Sequence, residues 1–175
     1  MNIRQGFAVW ITGIPASGKS SIASELRTRL NALKIPVVVL ESDEMRAILT
    51  PHAEYSLEER DRFYRALVLI GALVTRHGIN VIFDATANRQ LYRDHARSLI
   101  TNFIEAYVQC PLDVCMKRDP KGIYRSAAAG KTATVPGMQS LYEKPLHPEI
   151  TLDGQERPER SADAILEKLK QLLYI

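Results

Sequence analysis

The sequence of 175 residues has few of the features that mark membrane, disulfide-rich or nucleic-acid-binding proteins. It contains two cysteines, Cys110 and Cys115, and no second pair to complete a zinc site, so reduced thiols in the cytoplasm are the expectation. Its longest apolar run, residues 66–74, is too short to cross a bilayer. The net charge of +3 is too small to indicate a nucleic-acid partner by itself. We therefore expect neither membrane insertion nor nucleic-acid binding.

The rest of the composition is that of an ordinary globular chain. Apolar residues make up 46% and charged residues 25% of the sequence, which excludes a disordered or fibrous protein. The length suits one compact domain with a hydrophobic core, and no repeat or linker divides it. Residues 1–4 lead directly into an apolar segment, so we expect no cleavable signal. The prediction is a single domain over residues 1–175.

Short apolar runs alternate with helical patterns along the chain. This alternation, with continuously apolar strands, predicts an α/β fold whose parallel sheet is covered by helices on both faces. In such sheets, ligands bind beyond the carboxyl ends of the strands. The predicted strands are residues 7–11, 37–40, 81–83 and 104–108, and the predicted helices are residues 20–33, 57–76, 91–100, 112–118 and 161–173.

The segment from residue 120 to residue 147 interrupts this alternation. It is rich in Gly, Ala, Pro and Lys and too long for a routine connection, which favours a lid or binding loop. At its start, residues 118–122 read Arg-Asp-Pro-Lys-Gly, so that two cations flank a Pro–Gly hinge. Without any analogy, the same residues are equally typical of an ordinary helix end with a basic last turn.

Residues 13–20 read Gly-Ile-Pro-Ala-Ser-Gly-Lys-Ser and match the phosphate-binding pattern G-x-x-x-x-G-K-[ST] in full. The pattern follows a predicted strand and opens a predicted helix. Glycines let the main-chain N–H groups turn inward around an anion, and the helix N-terminus adds positive potential. We expect Lys19 to reach the β- and γ-phosphates of a nucleotide and the Ser20 hydroxyl to bind magnesium. The alternative is a chance glycine-rich turn.

Kinases, GTPase switches and motors share this phosphate loop. No guanine-reading Asn-Lys-x-Asp tetrapeptide occurs in the sequence, which argues against a switch. A chain of this length also offers little for a motor to move. A kinase is the interpretation that remains.

Two aspartates follow predicted strands at the edge where the phosphate loop lies. Asp43 comes shortly after the second strand, and Asp84 comes directly after the third. Phosphoryl transfer needs one carboxylate to hold the acceptor hydroxyl and another to organise magnesium. We assign Asp43 as the acceptor-side base and Asp84 as the metal-side group, although the reverse assignment also fits. Either aspartate is also a candidate helix cap.

Three groups of arginines are candidates for binding an anionic substrate: Arg46; Arg60, Arg62 and Arg65; and Arg89, Arg93 and Arg97. A planar guanidinium group suits phosphate because it donates two parallel hydrogen bonds. Arg46 lies one helical turn beyond Asp43, at a spacing that shares its helix face. The four-residue spacing of the third group is more typical of a solvated helix face than of a binding face.

In the order and spacing of these motifs, residues 7 to about 152 resemble the adenylylsulfate kinase family. The most specific matches are the phosphate loop and residues 118–124, followed by residues 142–145 and 148–149. The resemblance implies a P-loop kinase core with a parallel five-stranded sheet, flanking helices and a mobile lid. It implies that ATP, with Mg²⁺, phosphorylates the 3′-hydroxyl of adenylylsulfate. Members of the family are usually dimeric, so a homodimer is a further expectation.

Carried over residue by residue, the resemblance completes two sets of predicted ligands. The nucleotide set is Gly13, Ala16, Ser17, Gly18, Lys19, Ser20, Ser21, Arg118 and Lys121. The acceptor set is Asp43, Arg46, Tyr55, Arg60, Arg65, Lys131 and Val135. The predicted catalytic residues are Lys19, Asp43 and Asp84, and the predicted metal ligands are Ser20 and Asp84.

The sequence departs from the family pattern around the acceptor. Residues 84–89 read Asp-Ala-Thr-Ala-Asn-Arg where the family has Ser-Pro-Tyr-Arg after the third strand, and Phe63 replaces a usual asparagine. Val135 replaces a lid phenylalanine, and losing one base–aromatic stack costs about 1–3 kcal/mol. These differences keep open a sibling kinase for another nucleotide-like or small hydroxyl acceptor. A nucleic-acid kinase, suggested by Asp-Ala-Thr, and a regulator without turnover are the remaining alternatives.

Overall fold

The structure, a computed structural model, describes residues 4–132 and 134–175. The first three residues, on which the expectation of no cleavable signal partly rests, lie outside the described residues. Residue 133, within the predicted lid, also lies outside them. Throughout the described ranges, no helix is both long enough and apolar enough to cross a membrane.

Five parallel strands form one sheet, which confirms the predicted fold class. The strands are β1 (Phe7–Thr12), β2 (Val37–Glu41), β3 (Asn80–Asp84), β4 (Asn102–Gln109) and β5 (Ile150–Asp153). Their order is β2-β3-β1-β4-β5, so the direction of winding changes at β1 and opens a crevice beyond its carboxyl end. Four strands lie within two residues of their predicted positions. The fifth was implied only by the family resemblance, because four residues after a long loop give little apolar pattern.

In the described residues, seven helices accompany the sheet: α1 (Lys19–Ala32), α2 (Ser42–Leu49), α3 (Leu57–Arg76), α4 (Gln90–Leu99), α5 (Leu112–Arg118), α6 (Ile123–Ala128) and α7 (Pro158–Gln171). Five of them agree with the prediction within three residues. The bounds of α2 and α6 were not predicted, because eight and six residues are too few to show a clear helical period. The last helix begins earlier than predicted, at Pro158, since proline fits the first turn of a helix.

Each face of the sheet is covered by its own hydrophobic core. On one face, α3 and α4 pack over β1 and β3, and Trp10 stacks on Phe83 with ring centroids 4.5 Å apart. Gly71 allows α3 to approach this closely, because a Cβ there would lie 2.1 Å from the Phe83 ring. On the other face, α1 and α7 enclose Val9 and Ile11. The two cores hold the carboxyl ends of the central strands firmly beside the start of α1.

The lid segment, residues 120–147, packs against the phosphate loop through a third small core. Cys115, Tyr124 and Val135 are buried in this core. The Tyr124 hydroxyl also donates a hydrogen bond to the Pro15 carbonyl oxygen at 2.9 Å. Residues far apart in sequence therefore meet above the carboxyl ends of the strands.

Candidate active site

A cavity of about 590 Å³ opens beyond the carboxyl ends of β1, β2 and β3. It lies between the phosphate loop, α2, the start of α3 and the lid segment. Most of the predicted site residues line it: Ala16, Gly18, Lys19, Ser20, Ser21, Asp43, Arg46, Tyr55, Arg60, Asp84, Arg118, Lys121 and Val135. The fold thus brings together groups from separate stretches of the chain.

The N-terminus of α1 presents unpaired donors to this cavity. Gly18 precedes the helix in a left-handed conformation with φ of 107°, and no described side chain caps the helix. The first main-chain N–H groups of a helix have no acceptor within it, so here they are free to bind an anion. Lys19 is 9% exposed and donates to the Ile14 carbonyl oxygen at 3.0 Å. Burial lowers the pKa of Lys19, and the charges of Asp84 and Asp43 offset part of this shift.

Gly13 and Ser17, two predicted nucleotide ligands, lie beneath the loop and do not line the cavity. A Cβ on Gly13 would lie 2.7 Å from both the Ser17 Oγ and the Val108 carbonyl oxygen. Ser17 is fully buried, and its Oγ has no hydrogen-bond partner among the described residues. Gly13 and Ser17 therefore support the loop from below, because a side chain at position 13 would collide with Ser17 and Val108.

Asp84 ends β3 and is 4% exposed in the cavity wall. Burial raises the pKa of Asp84, while the Ser20 hydroxyl and the Lys19 charge act to lower it. A carboxylate beside a hydroxyl suits magnesium, which takes phosphate oxygens and waters as its other ligands. The described part of the chain contains no group of three His, Cys, Asp or Glu side chains that could hold a metal ion. The donors present thus fit a magnesium ion that arrives with phosphates.

Asp43 lies in the first turn of α2 and is paired with the lid segment. Its Oδ2 accepts a hydrogen bond from the Lys121 Nζ at 2.6 Å, and the same ammonium lies 3.2 Å from Glu41. Burial lowers the pKa of Lys121, but the hydrogen bonds and charges of Asp43 and Glu41 outweigh it, so the pKa is raised. Neither predicted aspartate is a helix cap, since described side chains do not cap α2 and α4 begins only at Gln90.

Arg46 lines the cavity, but protein groups fix its guanidinium. The residue is 7% exposed, donates to the Glu59 Oε1 at 2.8 Å and lies 3.9 Å from the ring centroid of Phe63. Glu59 also accepts from the main-chain N–H groups of Glu54 and Tyr55. Burial raises the pKa of Glu59, but these hydrogen bonds and the Arg46 charge overcome it and lower the pKa. The pair therefore anchors the loop that precedes α3.

Arg60 and Tyr55 form the adjoining wall of the cavity. The Tyr55 ring is 42% exposed, and its backbone is left-handed with φ of 55°. Arg60 is 9% exposed and lies with its Cζ 5.4 Å from the Tyr55 ring centroid. It donates to the main-chain oxygens of Tyr55 at 3.1 Å and of Thr134 at 2.9 Å. Tyr55 and Arg60, two predicted acceptor ligands, thus lie side by side in the cavity wall.

Residues 118–122 end α5 and also form part of the cavity wall. The Arg118 Nη1 donates to the Gly154 carbonyl oxygen at 2.7 Å, beside the start of α7. Asp119 has a left-handed φ of 23°, and its carboxylate accepts from the N–H groups of Tyr124 and Arg125. The same residues therefore end a helix and line the cavity, so the two interpretations of this motif are compatible.

Arg65 and Lys131, two predicted acceptor ligands, are exposed and do not line the cavity. Arg65 follows Arg60 by five positions, which turns it about 140° around the helix from Arg60. Val135 does line the cavity and is 4% exposed. The family resemblance, which supplied all three assignments, therefore agrees with this wall at Val135 and not at Arg65 or Lys131.

The arginine stripe of α4 is not the solvated face that its spacing predicted. Arg93 is fully buried, and its Nε lies 2.6 Å from Glu105 on β4. The other two arginines also form ion pairs, Arg89 with Asp61 and Arg97 with Glu149. The expectation was wrong because these partners come from other elements, which a four-residue spacing cannot reveal.

Sequence reasoning missed two residues that support the wall, Glu59 and Asn88. Glu59 had a local signal, since the Ser56 Oγ accepts from its N–H at 3.2 Å as in a capping box. Asn88 has no such signal. Its contact with Arg60 joins the loop after β3 to α3.

The winding of the sheet around β1 and the phosphate loop opposite two carboxylates place this chain in a definite class. It is a P-loop kinase.

Comparison with known proteins shows which family of P-loop kinases this chain resembles. The adenylylsulphate kinase family model matches residues 5–153. A probable adenylyl-sulfate kinase of Pyrococcus abyssi is 34% identical over 172 residues, which cover 98% of this chain and 99% of the relative. The adenylyl-sulfate kinase of Gloeothece citriformis is 36% identical over 173 residues, 98% of each chain. The structure of the Mycobacterium tuberculosis APS kinase CysC in complex with AMPPNP and APS aligns with a TM-score of 0.90 at 30% identity, covering 95% of this chain and 98% of that one.

The chain therefore belongs to the adenylylsulfate kinase family.

Proposed function

We propose that this chain transfers the γ-phosphoryl group of ATP to the 3′-hydroxyl of adenylylsulfate, giving 3′-phosphoadenylylsulfate and ADP. One observation carries the proposal: in a member of the adenylylsulfate kinase family, one cavity is lined both by the phosphate loop and by five of the seven predicted acceptor residues. The related kinase of Mycobacterium tuberculosis, solved with AMPPNP and APS, supports both ligands.

On the nucleotide side, the free N–H groups of α1 and the Lys19 ammonium bind the triphosphate. Lys19 also stabilises the negative charge on the phosphoryl group during transfer. Ser20 and Asp84 would hold magnesium, which would supply positive charge to the phosphates during transfer. Arg118 and Lys121, both in the cavity wall, complete this side.

On the acceptor side, Asp43 accepts the proton of the attacking hydroxyl. The reverse assignment is less well supported, because Asp84 lies beside Ser20 while Asp43 lies on α2 near Arg46. In this structure the Lys121 ammonium donates a hydrogen bond to Asp43 Oδ2, and its positive charge makes the carboxylate a weaker base while the two are paired. A triphosphate offers Lys121 a stronger partner, and residues 120–147 then act as a lid over both substrates.

The proposal is tested with purified protein, ATP, magnesium and adenylylsulfate. We expect 3′-phosphoadenylylsulfate and ADP to form in equal amounts, and chromatography measures both products. Nucleotide binding is measured in parallel by calorimetry. If the protein binds ATP but forms no product from adenylylsulfate, the proposed activity is wrong.

A sibling kinase with another hydroxyl acceptor is the second candidate. The supporting observation is Val135, a small aliphatic side chain buried in the cavity wall where the family pattern has an aromatic ring. A panel of nucleotides and sugars, scored by ATP consumption, separates the two. A value of kcat/KM that is highest for adenylylsulfate eliminates this candidate.

We further propose that the enzyme acts in the cytoplasm as a homodimer. Both cysteines are free, which suits a reducing compartment. Leu69 and Leu73 on α3 are each about half exposed and supply apolar surface for a second copy. Light scattering at micromolar concentration tests the dimer, and a monomeric mass contradicts it. Cell fractionation tests the compartment.

A further inference from the structure

Asn88 joins parts of the acceptor wall that are distant in sequence. It lies between β3 and α4 and is 8% exposed. Its Oδ1 accepts a hydrogen bond from the Arg60 Nη1 at 3.4 Å, and its Nδ2 donates to the Leu141 carbonyl oxygen at 3.1 Å. Its own carbonyl oxygen accepts from the Glu143 N–H at 2.8 Å. One end of the amide thus contacts the acceptor wall, and the other contacts the lid segment.

Arg60 depends on such partners for its orientation. Its guanidinium has five N–H donors in a fixed fork. Protein oxygens from Tyr55, Asn88 and Thr134 take one donor each from Nε, Nη1 and Nη2. The Arg60 side chain is largely shielded from water, so these three oxygens fix the plane of its guanidinium group. No other described residue accepts from the remaining two donors, which face a ligand in the cavity that Arg60 lines.

The lid segment is fastened at the same point. The Thr134 carbonyl oxygen accepts from Arg60 and from the Ser140 hydroxyl at 3.1 Å. The Ser140 carbonyl oxygen accepts from the Gly137 N–H at 2.8 Å. Residues 134–141 therefore form a small closed loop, with one end on Arg60 and the other on Asn88. A displacement of the loop acts directly on the guanidinium.

We infer that Asn88 is a positioning residue for the acceptor. It orients Arg60 and ties that orientation to the returning end of the lid segment, so that acceptor binding and closure of the segment are coupled. Asn88 itself does not line the cavity. The inference rests on the proposed function, because it takes Arg60 as a ligand of the acceptor.

Two substitutions separate the two ends of the amide. Asn88→Ala removes both contacts, whereas Asn88→Asp keeps an acceptor for Arg60 and removes only the donor to Leu141. Asn102→Ala is the matched control, because that amide contacts the Gln5 carbonyl oxygen at the opposite end of the sheet.

In steady-state kinetics, we expect Asn88→Ala to raise the KM for adenylylsulfate about fivefold to tenfold, the scale of one typical lost hydrogen bond. The KM for ATP and kcat change less than about twofold, because the nucleotide side is untouched. Asn88→Asp raises the KM for adenylylsulfate about twofold to threefold, less than Asn88→Ala does, since a carboxylate still accepts from Arg60 while the contact with the lid segment is lost. In a double-mutant cycle, Asn88→Ala adds little to Arg60→Ala.

Hydrogen–deuterium exchange of the free protein tests the contact with the lid segment without any acceptor. Both Asn88 variants accelerate exchange over residues 134–143 relative to the wild type and Asn102→Ala, because each loses the donor to Leu141. If the wild type fails to phosphorylate adenylylsulfate, the proposed function fails, while faster exchange in both variants still supports the role of Asn88. Unchanged exchange in both variants, or additive effects of Asn88→Ala and Arg60→Ala on the KM, overturns the inference.

Discussion

Most of the predicted ligands on the nucleotide side of the cavity belong to a single eight-residue motif, to which the end of α5 and the residues just after it add Arg118 and Lys121, whereas the acceptor-side wall is a set of side chains from four elements. The acceptor-side groups hold one another through ion pairs and long-range hydrogen bonds, as Arg46 does with Glu59. The nucleotide side therefore depends on local backbone shape, and the acceptor side depends on packing between distant elements. Substitutions on the two sides should consequently fail in different ways.

The largest effect is expected for Lys19→Met on the nucleotide side. The substitution removes the buried ammonium that stabilises the transferring phosphoryl group, so kcat falls by about 10³-fold or more. The measurement is ADP release in the presence of saturating adenylylsulfate. Lys170→Met, at an exposed ion pair on α7, is the control. Activity within tenfold of the wild type would show that Lys19 does not act on the phosphates.

Asp43→Asn tests the base on the acceptor side. Asparagine cannot take the proton of the hydroxyl, so kcat falls by about 10²–10⁴-fold. The affinity for ATP, measured by calorimetry, changes by less than about threefold, because the phosphate loop is intact.

Glu44→Gln is the control for this substitution, since Glu44 is exposed in the same turn of α2. In the parallel variant Asp84→Asn, we expect a higher magnesium requirement. If the effects of the two aspartate variants are exchanged, their roles are reversed.

Glu59→Gln tests whether the acceptor wall is held by its ion pair. The free energy of unfolding near neutral pH falls by about 1–3 kcal/mol, because Arg46 remains buried without a charged partner. The pKa of Glu59 lies below its usual value of 4.5 in the folded protein. The stabilisation is therefore complete above that value and disappears as the pH falls through the folded-state pKa.

Urea unfolding at a series of pH values measures this difference, which should close in acid. Glu58→Gln is the control, because the Glu58 side chain is 81% exposed. A difference that does not change with pH means that packing, and not the charge, is responsible.

The smallest effect is expected for Lys121→Ala, at the junction of the two sides. Its side chain is 51% exposed, so losing the pair with Asp43 changes the free energy of unfolding by less than about 0.5 kcal/mol. The KM for ATP rises about threefold, on the scale of one exposed charge contact with phosphate. Lys117→Ala, four positions earlier at the end of α5 and exposed, should change neither quantity. A large fall in the free energy of unfolding would mean that Lys121 mainly stabilises the fold, which contradicts its assignment as a nucleotide ligand.

The nucleotide side was predictable because its signals are local. The phosphate loop is contiguous, and the flanking strand and helix are long enough to show their periods. On the acceptor side, the spacing of Arg46 from Asp43 correctly indicated a shared helix, but not the partner of Arg46, which lies thirteen positions away. Arg65 was assigned to the acceptor with Arg60 by the family resemblance, and helical geometry separates the two side chains. Pairings between distant elements leave no periodic trace in a single sequence.

The lid segment leaves the fold after α5 and returns at β5, which lies directly beside β4 with Ile150 opposite Ala106. Its two ends are thus held at one edge of the sheet, whatever length of chain runs between them. Gly130 lies in open space, and the entropy of closing such a loop grows only slowly with its length. Insertions and deletions there leave the strand pairing unaltered. The stretch around Gly130 is therefore the exchangeable part of the lid segment, since Lys121 and Tyr124 stay in contact with the nucleotide side, and recasting it is a route by which evolution or a protein engineer can redirect the enzyme to new hydroxyl compounds.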